Sequence, residues 1–208
     1  VDREARTVEI DAFVPIDAHI KEAPKVYLEV MVSTAETRAH EALVATRADP
    51  SHVHAALLLI GLEHGEPGSW AWDGKVVSTV APSGAPVEVW FIWTDEEGVR
   101  REDRACDWII SAVDGRRLTD AVVGQEPRWV FAGSRMVRRN DREWYAATAE
   151  GTIVGLHTFG SETVAWRGVF SPSAEVQDPE WIADPARVPR RDTPVTVVIR
   201  AIEAEEGD

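Results

Sequence analysis

The sequence predicts an α+β fold, a mostly antiparallel β-sheet domain with one main helix at about residues 51–62 packed on the sheet. Three observations predict it. Eight stretches alternate apolar and polar residues or concentrate β-branched and aromatic ones, as strands do. Clusters of Gly, Pro, Asp, Asn and Ser fall between them as turns. One stretch alone, "SHVHAALLLIGLEHG" (51–65), spaces its apolar residues as a confident helix does.

Taken in order, the strands are "TVEIDAFV" (7–14), "VYLEVMVST" (26–34), "EALVATR" (41–47) and "VEVWFIWT" (87–94). They continue with "RWVFAGSRMV" (128–137), "EWYAATA" (143–149), "TIVGLHTF" (152–159) and "PVTVVIRA" (194–201). In "VEVWFIWT", Val87, Val89, Phe91 and Trp93 share one face and Trp90 and Ile92 the other, which predicts cover on both sides. "DEEG" (95–98) and "RNDR" (139–142) read as hairpin turns, and "PSGAP" (82–86) and "SPSAEVQDP" (171–179) as loops. Asp49 or Ser51 caps the helix, Pro50 sits where its missing N–H costs nothing, and Gly61 or Gly65 ends it. Val53, Ala56, Leu57 and Ile60 form its buried stripe, and a second helical turn is expected around "CDWIISAV" (106–113). With no internal repeat and no long linker, residues 1–208 form one domain, with a core at about 20–201 and an acidic, frayed tail at 203–208.

Asp and Glu number 36 against 22 Lys and Arg, a net charge of −14, so the surface repels phosphate backbones and no nucleic-acid partner is expected. Two arginine groups (Arg135, Arg138, Arg139, Arg142 and Arg187, Arg190, Arg191) lie among turn residues and read as solvated loops. The single cysteine, Cys106, excludes an intrachain disulfide and a CxxC knuckle, and reads as a small buried hydrophobe. No run of 18 apolar residues predicts a transmembrane segment. A start at Val1 fits removal of a signal peptide or a trimmed chain. The nine tryptophans, spread from Trp70 to Trp181, read as core anchors of separate strands.

No GxSxG, GxGxxG, P-loop or EF-hand pattern occurs. "HEALV" begins like a zinc-protease HExxH but has Val44 at the second histidine. The chemistry that remains is in "HEALVATRADPSHVHAALLLIG" (40–61). His40 and Glu41, if on a strand, point to opposite faces, and His54 meets one of them only if the chain folds back after residue 47. Such a set suits a divalent transition metal or a general acid–base pair, against the bland alternative of a strand end and a core histidine. His157 reads as structural, and His19 and His64 receive no role. Trp70 and Trp72, two apart, offer either a sugar platform or, as favoured, core anchors.

The segments 40–61, 87–98, "WVFAGS" (129–134), "EWYAATAEGTIVGLHTF" (143–159) and "PVTVVIR" (194–200), in this order, resemble the YdjY-domain family. The resemblance implies an extracytoplasmic domain, periplasmic or secreted, sometimes fused to iron–sulfur or other redox modules, with no established reaction. It implies a family motif at His40, Glu41 and His54, and departs from it at His157–Thr158, where a serine–asparagine pair is common.

The functional expectation is an extracytoplasmic binding or accessory module. It holds a metal or small ligand at His40, Glu41 and His54, or meets a cell-surface or redox partner protein. One alternative is a hydrolase or lyase with a His/Glu acid–base pair. The other is a carbohydrate or cell-surface module using Trp70 and Trp72.

Overall fold

The structure, a computed structural model, describes residues 1–20, 25–121 and 128–202, so the tail at 203–208 lies outside the described residues. Alternation builds β1 (Thr7–Phe13), with Val8 and Ile10 inward and Glu9 and Asp11 in water. β2 (Val30–Thr34) and β3 (Ala42–Thr46) are buried along nearly their whole length and run parallel. Parallel neighbours ordinarily need a crossover of a dozen residues or more; here residues 35–41 suffice.

The helix α1 (Pro50–Leu59) follows its prediction closely. Asp49 Oδ1 accepts the Ser51 amide at 2.8 Å, Pro50 opens the first turn, and Gly61 ends it at a φ of +81°. Val53, Ala56, Leu57 and Ile60 are its buried face. The hairpin of β4 (Ser69–Trp72) and β5 (Val77–Val80) is largely exposed, so Trp70 and Trp72 do not anchor the core.

β6 (Pro86–Thr94) turns through Asp95–Gly98 into β7 (Arg100–Arg104), a strand made wholly of charged residues. Val87, Val89 and Phe91 point into the core, while Trp90 on the other face lies under the guanidinium groups of Arg104 and Arg200. A 3₁₀ turn at Ala105–Trp108 precedes β8 (Ile109–Ser111), so the helical turn expected over 106–113 is shorter and starts earlier. Beyond α2 (Leu118–Ala121) and β9 (Trp129–Val130), the hairpin of β10 (Met136–Arg139) and β11 (Arg142–Tyr145) turns at Asn140 and Asp141, both with positive φ. The chain finishes with α3 (Ala146–Glu150), β12 (Thr152–Gly155), β13 (Val164–Trp166), β14 (Trp181–Ala183) and β15 (Pro194–Ala201).

These strands do not form the helix-covered sheet of the predicted α+β class. Their order is β15-β1-β3-β2-β12-β13-β9-β6, and β6 pairs with β15 again, which closes an eight-stranded barrel. The fold is therefore mostly β, with three short helices among the described residues. The physical reason is that β15 uses both its edges, pairing Thr196 with Asp11 on one side and with Ile92 on the other. An eight-stranded barrel is just wide enough for side chains to fill. Ile10, Val32, Val44, Phe91, Val154 and Val197, from six different strands, share its core.

Four predicted strands are cut short: 26–34 keeps Val30–Thr34, 152–159 keeps Thr152–Gly155, and the other two are cut for local reasons. Of 128–137 only Trp129–Val130 joins the barrel, because Gly133 and Ser134 adopt positive φ and turn the chain out. Of 143–149 only the start is strand; the alanine-rich "AATAE" has the highest helix propensity nearby and becomes α3, ended by Gly151 at a φ of +73°. Trp108, Trp129, Trp166 and Trp181 are the tryptophans that do anchor the core.

Candidate functional site

Two clusters at opposite ends of β3 contain the residues singled out from the sequence. Before β3, His40 and Glu41 lie in a 3₁₀ turn rather than on the expected strand. The turn brings them together, with His40 Nε2 3.7 Å from Glu41 Oε2, instead of sending them to opposite faces. Arg38 is 2.8 Å from Glu41 and 3.4 Å from Glu29, and its guanidinium stacks over Phe159. Burial, with Glu41 close by, raises the Glu29 carboxyl above its ordinary range. The His40 side chain is 77% exposed, so this is a charge cluster with a solvated imidazole at its rim.

His54 lies past the other end of β3, a five-residue strand that spans roughly 17 Å at ~3.3 Å per residue. On the first turns of α1 it is half-buried, edge-on to Phe131 and Tyr145 and 5.3 Å from the His64 ring, centroid to centroid. Its Nδ1 is 3.0 Å from the Tyr145 hydroxyl, which donates to the Gly133 carbonyl at 3.0 Å and meets Thr163 Oγ1 at 3.2 Å. A phenol has one proton. Spent on Gly133, it leaves the oxygen to accept from His54, so Nδ1 carries the imidazole proton and Nε2 keeps its lone pair. Burial, and then His64, lower the His54 pKa, while burial pushes Tyr145 up to about 12. Both groups are thus neutral near pH 7.

The loop after β9 builds the opposite wall. Gly133 has a φ of +84° and donates its amide to Thr163. The buried Ser134, also at positive φ, donates its hydroxyl to the Ser161 carbonyl at 2.8 Å and accepts the Ala147 amide at 3.1 Å. With donor and acceptor both used, it is a strut and not a nucleophile. His64 sits against Gly133, and its Nδ1, 2.9 Å from the Gly65 carbonyl, must carry the proton because a carbonyl only accepts. His54 and His64 are therefore alike: Nδ1 donates, and Nε2 keeps the ring's lone pair. They open on a pocket of about 540 Å³ that Ser51, Glu66, Arg135 and Met136 also line.

His40 and Glu41 do not line this pocket, so the sequence-predicted trio is divided between two places. His64, which sequence reasoning passed over, belongs to the pocket. Its signal was the glycines Gly65 and Gly133, which mark close backbone approach. The N-terminus of α1 is occupied by Asp49, whose Oδ1 takes the Ser51 amide, the Ser51 hydroxyl and the Thr148 hydroxyl. An anion gains little there. Among the described residues, no three His, Cys, Asp or Glu side chains gather as a metal site. His157 is buried beside Phe170, and burial lowers its pKa to about 4.

Fold and site together define a small closed β-barrel with a two-histidine pocket between α1 and the loop that follows β9. The family described as YdjY domain matches residues 1–200, and the chain belongs to it. No curated protein and no solved structure matches the sequence. No helix among the described residues is long and apolar enough to cross a membrane.

Proposed function

We propose that the domain is a binding module and that its ligand enters the pocket of His54, His64 and Tyr145. The observation that carries the reading is the hydrogen-bond chain from His54 Nδ1 through the Tyr145 hydroxyl to the Gly133 carbonyl. It holds one imidazole of the pocket lining in a single tautomer that leaves a lone pair on Nε2, the kind of orientation that preorganised sites use. The ligand this chemistry selects is an electron-pair acceptor: a cation, or a small molecule that donates hydrogen bonds. Net acidity favours the same class. Within this reading His54 is the residue retained from the predicted trio, and His40 and Glu41 act in a separate surface cluster. The extracytoplasmic location rests on the family resemblance, and fractionation of cells producing the full-length protein tests it.

Histidine-ring NMR during a screen of small polar compounds and metal salts tests the site. Ligands should move the His54 and His64 ring signals and leave His40 unmoved, and His54→Ala should abolish binding. A screen in which every ligand acts at His40, or none acts on either pocket histidine, overturns the reading.

A second reading has its own observation. Trp70 and Trp72 share one face of the projecting β4–β5 hairpin, with Trp72 45% exposed, as a sugar-stacking platform requires. Glycan-array binding lost in Trp72→Ala supports this alternative, and an array without hits removes it.

A further inference from the structure

The pocket's donor set points to a particular kind of cation, and this step rests on the binding reading above. Both imidazoles present Nε2 lone pairs, and their Nδ1 protons are committed to oxygen acceptors, Tyr145 for His54 and the Gly65 carbonyl for His64. Metal-bound histidines are oriented in the same way, by an acceptor at the second ring nitrogen. Two nitrogens on one ion stand about 4 Å apart at most, given metal–nitrogen bonds of ~2.0–2.1 Å. Ring centroids 5.3 Å apart are compatible with that span.

The third donor decides the metal. Among the described residues Glu66 does not complete a trio with the two histidines, so a zinc-type set of imidazoles and carboxylate is lacking. Met136 lines the same pocket, and the β10–β11 register sets it directly opposite Tyr145, the residue that orients His54. Of the chain's two methionines, Met31 is fully buried, whereas Met136 is 58% exposed and gains nothing there as a core residue. A thioether is a soft ligand that selects copper(I), and imidazole suits copper as well.

We propose that the pocket binds one copper(I) ion through His54 Nε2, His64 Nε2 and the Met136 sulfur. Binding forms three coordinate bonds to lone pairs already free of protons and breaks no covalent bond. The acidic surface concentrates cations around the molecule, and the open pocket admits an ion from solvent or from another protein.

The test is an anaerobic competition of the tag-free full-length protein against bicinchoninate for copper(I). The protein should withdraw one equivalent. His64→Ala and Met136→Leu, both at exposed side chains and expected to fold, should each weaken binding at least tenfold, and His40→Ala should bind like the parent. The inference is overturned if the chelator keeps all the copper, if His64→Ala and Met136→Leu bind like the parent, or if zinc(II) binds instead and is indifferent to Met136→Leu. An organic ligand found in the pocket by histidine NMR, with no copper uptake, overturns the copper assignment and leaves the binding reading in place.

Discussion

A Cβ added to Gly133 would lie 2.6 Å from the Cβ of His64, so it is a glycine on one pocket wall that admits the imidazole on the other. Gly133→Ala should therefore do two things. It should destabilise the protein by at least ~1–2 kcal/mol, the cost of a side chain in the left-handed region, and it should push His64 away from His54. Urea unfolding and the His64 ring resonances check this. Unchanged stability with an unmoved His64 signal would contradict it.

Tyr145→Phe removes one oxygen and leaves two groups short, the Gly133 carbonyl and His54 Nδ1. A lost buried partner costs roughly 1–3 kcal/mol. The more specific outcome is in the tautomer. Nitrogen-15 shifts of His54 should report the Nδ1–H form in the parent and a mixture in the variant. A single unchanged tautomer in Tyr145→Phe would mean that the hydroxyl does not orient the ring.

His157 gives the protein an acid-sensitive point away from the pocket. Its Nδ1 has no hydrogen-bond partner among the described residues, and burial lowers its pKa from 6.5 to about 4. In that interval the unfolded chain binds the proton and the folded chain does not, so stability is full above pH 6.5 and falls as pH drops toward 4. The whole displacement is worth roughly 3 kcal/mol. Glu162 contributes with the opposite sign, since burial raises its pKa and its cost appears as pH rises above 4.5. Comparing His157→Leu with the parent cancels that contribution: the variant should gain on the parent steadily from pH 6.5 down to 4 in thermal unfolding. Parallel curves for the two proteins would refute the assignment.

What could be read from the residues, and what could not, follows the range of the interactions. The α1 cap at Asp49, its stripe from Val53 to Ile60, and the turns at 95–98 and 139–142 depend on neighbours a few positions away, and they formed as expected. Barrel closure depends on Trp90 meeting Val198, more than a hundred positions along the chain, and alternation within a strand does not specify which strand it pairs with. Glu41 was expected to open the strand "EALVATR", with His40 just before it; the parallel pairing of β2 with β3 forces a return path over 35–41 and ends it in a 3₁₀ turn that takes both residues. That path puts His40 before β3 while His54 comes after it. His64 falls just past the end of α1, where helical periodicity no longer assigns a face, and its neighbours His54, Phe131 and Gly133 come from elsewhere in the chain.

The tacked-on β7 has a consequence for the molecule in company. The closed part of the barrel offers no strand edge to a second chain, and β7, which extends the sheet outward from β6, is one place among the described strands where a free ladder of amides and carbonyls could recruit one. Its sequence, Arg100-Arg101-Glu102-Asp103-Arg104, makes such recruitment unfavourable, because an incoming apolar strand would have to strip water from five ions. At this edge the charged ribbon is the guard, and neutralising it would turn a guarded seam into a sticky one.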